Sequence, residues 1–253
     1  MVDINLLVRD NVKALIPYSS ARDEFQGKEG IFLDANENPY GKLNRYPDPY
    51  QKVLKSQISK IKQVPEENIF LGNGSDEIID LAYRTFCRPG IDKALAFSPT
   101  YGMYEVSAGI NDINFIKIPL TDRFQIDKEK AASALDDPFL KLIFICSPNN
   151  PTGNSLDYVD IESIITGCRC IVLIDEAYSD FSGKQSFKTM TGKYPNLIVM
   201  QTFSKAYGLA AARIGMAFAN RQIVKYFNKL KPPYNISSLN QRAALSQLAH
   251  YEK

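Results

Sequence analysis

The stretch Leu197-Ile198-Val199-Met200-Gln201-Thr202-Phe203-Ser204-Lys205-Ala206-Tyr207-Gly208-Leu209 decides how this chain is read. Its apolar opening, 197–200, predicts a short buried strand. That strand runs into small and hydroxyl residues around one lysine, Lys205, with Arg213-Ile214-Gly215 expected one or two helical turns further on. Upstream, a second apolar run, 170–174, ends in Asp175-Glu176-Ala177-Tyr178. An amine, a carboxylate and a phenol are thereby gathered at strand ends. A lysine between a buried strand and a tight Ala-Tyr-Gly-Leu turn is not expected to be freely exposed.

The same alternation extends outward from this centre. Strands are predicted at 69–71, 94–97, 113–118, 142–146, 171–174 and 214–219. Helices are predicted at 49–62, 75–86, 101–108, 128–135, 156–165, 221–230 and 239–251. Short apolar strands separated by amphipathic helices predict an α/β fold with a mainly parallel central sheet and helices on both faces. In such sheets ligands bind at the carboxyl ends of the strands. The first 28 residues read as a polar arm with one short helix near 11–15. A short strand is predicted at 31–33. Residues 34–50, rich in Asn, Pro, Gly and Tyr, predict an irregular functional loop.

Composition narrows the class. With 253 residues, 45% apolar and 23% charged, the chain has the make-up of an ordinary packed protein. A net charge of +2 gives no reason to expect nucleic acid or an anionic membrane as partner. No apolar run approaches the ~20 residues of a membrane helix, and the first residues carry no signal-peptide pattern, so a cytoplasmic location is expected. Cys87, Cys146, Cys168 and Cys170 lie in or beside apolar segments, where reduced buried thiols are expected. His250 is the single histidine, which removes most serine–histidine and multi-histidine metal schemes, and no metal is expected. Acid–base work falls to lysine, tyrosine or carboxylates.

The strand ends supply the parts that hold pyridoxal 5'-phosphate (PLP). Lys205 can form a Schiff base with the aldehyde, and Asp175 can keep the pyridine nitrogen protonated, since an opposite charge at close range favours the charged form. Tyr178 can reach the ring's phenolic oxygen. Gly72-Asn73-Gly74-Ser75-Asp76-Glu77 joins a strand to a helix whose N-terminus can take a phosphate, with Thr202, Ser204 and Arg213 as further ligands. Ser147-Pro148-Asn149-Asn150-Pro151-Thr152-Gly153 is a pinned loop that admits cis X–Pro bonds and can aim Asn150 at the same oxygen. Tyr101 can stack on the ring. Each has an ordinary alternative when taken alone: a helix cap for Asp175 or Ser75, a core tyrosine for Tyr178, a plain turn for 147–153. Those alternatives must all hold at once, at the ends of consecutive strands.

Together these residues resemble the fold-type I PLP-dependent aminotransferases and, among them, the histidinol-phosphate aminotransferases. The resemblance runs from Tyr18-Ser19-Ser20-Ala21-Arg22-Asp23-Glu24 through Asp34-Ala35-Asn36-Glu37-Asn38-Pro39-Tyr40-Gly41, Asn44-Arg45-Tyr46-Pro47-Asp48-Pro49 and the loops above to Lys231-Pro232-Pro233-Tyr234-Asn235, essentially the whole chain. It implies Lys205, Asp175 and Tyr178 as catalytic residues. It also implies cofactor contacts from Gly74, Ser75, Asp76 (backbone), Tyr101, Asn150, Thr202, Ser204 and Arg213. Tyr46 would reach the partner subunit's cofactor phosphate in a homodimer, and Tyr18, Arg22 and Asn36 would line the substrate pocket. The implied reaction is transamination of L-histidinol phosphate with 2-oxoglutarate, giving imidazole-acetol phosphate and glutamate. The same core would also serve an aromatic aminotransferase or a threonine-phosphate decarboxylase, and a non-catalytic phosphate-binding fragment is the alternative outside enzymes. As domains, 1–28 would be an arm belonging to a small domain and 29–253 the PLP-binding large domain. The C-terminal small domain of such enzymes is expected to be absent, since the sequence stops at Tyr251-Glu252-Lys253.

Overall fold

A computed structural model describes residues 2–18, 31 and 33–250 of the chain. Seven strands form one sheet: β1 (Ile69–Asn73), β2 (Lys93–Ser98), β3 (Asn114–Pro119), β4 (Leu140–Cys146), β5 (Ile171–Asp175), β6 (Leu197–Thr202) and β7 (Ile214–Ala219). Their spatial order is β1-β7-β6-β5-β4-β2-β3, and β7 alone runs against its neighbours. The sheet is therefore mainly parallel, and β2, β4, β5 and β6 all end at the same edge.

Alternate residues of each central strand feed two separate cores, because successive side chains point to opposite faces. Val172, Ile174, Leu197 and Val199 enter one core, which takes Leu54 and Ile58 from α3 (Lys52–Lys62), Ala131 from α6 (Lys128–Leu135), Ile161 and Ile164 from α7 (Tyr158–Gly167) and Ala244 from α9 (Ser238–Leu248). Ile171, Leu173, Ile198 and Met200 enter the other. That core takes Ile78, Ile79 and Tyr83 from α4 (Ser75–Phe86), Tyr104 and Ala108 from α5 (Met103–Ile110), and Ile223 and Phe227 from α8 (Arg221–Leu230). Two short helices near the start, α1 (Ile4–Leu7) and α2 (Asp10–Ala14), pack on this second face through Ile4, Leu7 and Val12. The same parity assigns a face to the polar residues at the strand ends. Asp175 and Thr202 continue the rows of Leu173 and Met200, and Glu176 and Gln201 continue the rows of Ile174 and Val199.

Several boundaries differ from the sequence reading, each for a local reason. The helix expected from residue 49 begins at Lys52: Asp48 accepts the amides of Tyr50 (2.9 Å) and Lys52 (2.7 Å), and Gln51 adopts a left-handed φ of 50°, so a side-chain-locked turn precedes the helix. The first helix of the chain, Ile4–Leu7, was not foreseen. It is capped by Asp3, whose carboxylate accepts from the Asn5 amide at 2.9 Å. The expected strand at 31–33 is absent at the described Ile31 and Leu33, which are exposed and belong to no sheet; Phe32 lies outside the described residues. Residues 34–50 hold no helix or strand, as expected. α8 stops before Pro232-Pro233, where proline removes donors and disfavours helix in the residue ahead of it.

Candidate active site

A cleft open to solvent lies at the carboxyl edge of the sheet, where open α/β sheets bind ligands. Ten predicted residues line it: Ser75, Asp76, Tyr101, Asn150, Asp175, Tyr178, Thr202, Ser204, Lys205 and Arg213. Six segments bring them together, and the pleat explains why. Asp175 at the end of β5 and Thr202 at the end of β6 share a face with Cys146 at the end of β4, which pairs with Asp175 in register.

Asp175 is the most buried of the charged groups here. Its Oδ2 accepts the Tyr104 phenol at 2.7 Å and its Oδ1 accepts the Ala177 amide at 3.0 Å. Burial pushes its carboxyl up to about 6, against the pull of those two donors. A cation in the cleft would reverse that penalty, since burial disfavours an unpaired charge far more than a paired one. Cys146 beside it is pushed up to about 12, again by burial, so it stays a neutral thiol at neutral pH.

Lys205 requires two corrections. It is exposed, and the segment from it to Arg213 holds no α-helix, only the short 3-10 turn Ala210–Ala212. After Thr202 the chain folds into a tight turn, with the Gly208 amide donating to the Lys205 carbonyl (2.9 Å) and the Leu209 amide to the Phe203 carbonyl (3.0 Å). Phe203 and Tyr207 take the core side of that turn, which leaves Lys205 facing the cleft. Its Nζ sits 5.3 Å from the centre of the Tyr178 ring.

The corner expected to take a phosphate is built from backbone shape. Gly74, with φ of 79°, caps α4, and no side chain occupies that helix's N-terminal donors. A Cβ on Gly74 would lie 2.5 Å from Arg213 Nη2, and one on Gly215 would lie 2.6 Å from the Gly74 carbonyl carbon. Glycine at both positions lets the strand-to-helix turn and the Arg213 side chain occupy the same corner. Arg213 Nη2 donates to Asp76 Oδ2 at 3.1 Å, and the Tyr101 phenol donates to Asp76 Oδ1 at 3.3 Å. The sequence reading gave Asp76 only a backbone role; its carboxylate also ties Arg213 to Tyr101. Burial and Asp76 together push the Tyr101 phenol up to about 12.

The loop 147–153 is fixed by Asn149, which donates to the Pro99 carbonyl (2.9 Å) and to Thr152 (2.8 Å) and accepts from Thr100 (2.8 Å). This buried amide joins the loops that carry Tyr101 and Asn150. Ser98-Pro99, Ser147-Pro148 and Asn150-Pro151 are cis.

Tyr18, Asn36 and Tyr46 are not among the residues lining the cleft. Tyr46 stacks on Tyr234 (centroids 4.4 Å, 14°) and, with Asn36, borders a separate hollow. Tyr18 is exposed. Arg22 lies outside the described residues. Sequence reasoning missed Tyr104, Cys146 and Asn149. Tyr104 lies one helical turn from Tyr101, and that i,i+3 spacing was its one visible signal.

These donors fit PLP. A helix N-terminus, two hydroxyls and an arginine converge where a phosphate would sit, a carboxylate lies deep in the cleft, and an amine stands at the mouth. The space that a side chain at Gly74 would fill is the space the Arg213 guanidinium occupies.

Comparison with known proteins agrees with this geometry. The family model "Aminotransferase class I and II" matches residues 27–253. A histidinol-phosphate aminotransferase of Cytophaga hutchinsonii is 53% identical over 250 residues, 97% of this chain and 72% of that protein. One from Bacteroides fragilis is 52% identical over 253 residues, 99% of this chain and 73% of that protein. Among solved structures, histidinol-phosphate aminotransferase from Clostridium acetobutylicum superposes with a TM-score of 0.73 at 26% identity, over 81% of this chain and 61% of that one. The enzyme from Sinorhizobium meliloti in complex with pyridoxal-5'-phosphate shares the fold, with a TM-score of 0.76 at 23% identity over 82% of this chain and 57% of that one. The chain belongs to the class I and II aminotransferase family, enzymes that work with pyridoxal 5'-phosphate.

Proposed function

We propose that this protein transfers the amino group of L-histidinol phosphate to 2-oxoglutarate, forming imidazole-acetol phosphate and glutamate. One observation carries the reading: ten residues picked out for PLP chemistry line a single cleft, in a chain that shares about half its residues with histidinol-phosphate aminotransferases. When bound, the cofactor supplies an aldehyde for amines and a ring that accepts the electron pair left at substrate Cα.

The chain's own residues do the rest. Asp175 would hold negative charge deep in the cleft against the ring nitrogen. Tyr178 and Asn150 would donate to the ring's oxygen, and Tyr101 would cover a face. Gly74, Ser75 and the Asp76 backbone, with Thr202, Ser204 and Arg213, would bind the phosphate. Lys205, exposed and lining the cleft, would be the amine that holds the cofactor's aldehyde carbon and, as a free amine, the base that would move a proton from substrate Cα. Tyr46 lies on a different hollow from its own cleft, which supports a homodimer in which it reaches the partner's phosphate. The resemblance would give Tyr18, Asn36 and Arg22 to the substrate, although Asn36 borders a hollow separate from its own chain's cleft. The reading takes the enzyme to be cytoplasmic; among the described residues no helix is long and apolar enough to cross a membrane.

The test has two arms. Adding PLP should give a visible absorption band, and borohydride followed by peptide mapping should put the label on Lys205; a label on another lysine overturns that assignment. Histidinol phosphate should be used in preference to phenylalanine or threonine phosphate. Preference for either of the latter overturns the substrate.

A further inference from the structure

The carboxylate of Asp175 does not stand alone at the bottom of the cleft. Tyr104, on α5, is fully buried and donates its phenol to Asp175 Oδ2 at 2.7 Å. Three contacts fix that phenol. Its ring stacks on Phe144 of β4 (centroids 4.6 Å, 11°) and meets Tyr101 edge-on (5.5 Å, 83°). Its carbonyl accepts the Tyr83 hydroxyl of α4 at 2.8 Å. A buried hydroxyl needs a partner, and Asp175 is the acceptor this one has. With Tyr104 on Oδ2 and the Ala177 amide on Oδ1, the carboxylate plane is held from two sides.

We propose that Tyr104 is a positioning residue for the reaction: its phenol aims the Asp175 carboxylate and favours its anionic form where the ring nitrogen of bound PLP would lie. The inference rests on the functional reading above, and deepens it by naming what sets the charge of the group that faces the ring. Tyr104 touches neither substrate nor cofactor in this assignment and acts through Asp175.

The surroundings make that donor matter. Asp175 shares the cleft with Cys146 from β4, Asp76 from α4, Tyr101 before α5, and Tyr178 and Lys205 from the loops beyond β5 and β6, while Glu176 adds a nearby negative charge from the opposite face. Burial, Asp76 and Glu176 all favour the neutral acid. Tyr104 and the Ala177 amide oppose them. Burial and the nearby Asp175 charge also drive the Tyr104 phenol well above its ordinary range, so it keeps its proton and stays a donor throughout the neutral range.

The test reads Asp175 directly, in the cofactor-free protein, from the carboxyl signal of 13C-aspartate-labelled enzyme, with Asp175→Asn assigning it. In wild type the carboxyl should titrate near 6. Tyr104→Phe keeps the ring contacts and deletes the donor, and should move that titration up by about one pH unit. Replacing Tyr104 with a 3-fluorotyrosine, a more acidic phenol and stronger donor, should move it down. A merely structural role would shift both variants the same way or neither, and either result overturns the proposal. With PLP added, the pH at which the visible band changes should follow the same order across the three proteins. Because the carboxyl titration needs no cofactor, it can fail while Lys205 still labels, and Lys205 labelling can fail while the titration behaves as stated.

Discussion

Asp175 and Glu176 are neighbours in sequence, both buried, and both pushed upward in pKa by that burial. They leave β5 on opposite faces and do different things. Glu176 accepts from the Ser186 hydroxyl, the Phe187 amide (2.7 Å) and the Gln201 side chain (2.9 Å), so its oxygens are spent tying the 182–187 segment to β6. Asp175 has one side-chain donor, one backbone donor and an open cleft in front of it. Burial alone therefore does not single out the carboxylate proposed to face the cofactor. What marks it is burial combined with acceptor capacity left over and a cleft that a cation can enter.

Substitution at Asp175 should have the largest effect on chemistry and the opposite effect on the cofactor-free fold. Asp175→Asn should lower transamination by about 10²–10⁴-fold, measured as kcat with saturating PLP. The folded carboxyl titrates near 6 against 3.8 unperturbed. Its stabilising contribution is present below about 3.8 and is lost as pH rises through 6, about 3 kcal/mol in all. Asp175→Asn removes that loss. Its urea midpoint relative to wild type should therefore rise between pH 4 and pH 8, and parallel profiles would break the assignment of a buried, strained charge.

The corner proposed for the phosphate should respond less. Gly74→Ala puts a methyl 2.5 Å from Arg213 Nη2 at a left-handed φ. The guanidinium must move, and PLP affinity should fall about tenfold to a hundredfold, the worth of one hydrogen bond to a charged group. Quenching of protein fluorescence by PLP measures it. Unchanged affinity would mean that Arg213 does not contact the phosphate.

The same contrast explains what could be read from the sequence. The apolar runs showed where the strands end, and Asp175, Thr202 and the cleft were legible because ligands bind at those ends; the two-faced parity of the rows emerged only in the structure. The loop partners were not legible. Tyr104 lies in a helix whose apolar stripe reads as core, and nothing in its spacing says that its hydroxyl meets a carboxylate 71 positions away. Lys205 was expected to be shielded because its neighbours are apolar, but Phe203 and Tyr207 take the inner side of the turn and leave it outward. The start of α3 was misjudged because proline at 49 resembles a first helical residue, while Asp48 locks a turn instead. Long-range motif residues are also structural: Asn235 of Lys-Pro-Pro-Tyr-Asn donates to the Leu71 carbonyl (3.0 Å) and Glu77 (2.9 Å), bracing the strand-to-helix turn behind the cleft.

Glu176 should give the smallest effect on turnover, and two substitutions there separate its charge from its bonds. Gln201 Oε1 is buried without a hydrogen-bond partner, while its amide nitrogen donates to Glu176. In Glu176→Gln the new amide nitrogen can supply the missing donor, its oxygen can still accept the Phe187 amide, and the Ser186 hydroxyl can turn to accept or donate. Stability at pH 8 should stay within about 1 kcal/mol of wild type, or rise, because the raised carboxyl loses its contribution as pH climbs through its folded pKa and the amide does not. Glu176→Ala strands the Phe187 amide and the Gln201 side chain, and should cost about 2–4 kcal/mol. Both variants should keep kcat within about threefold, since the cleft-facing row of β5 is untouched; 1.4 kcal/mol in the barrier would already be tenfold. A Glu176→Gln enzyme that folds normally but turns over a hundred times more slowly would erase the distinction between the two carboxylates.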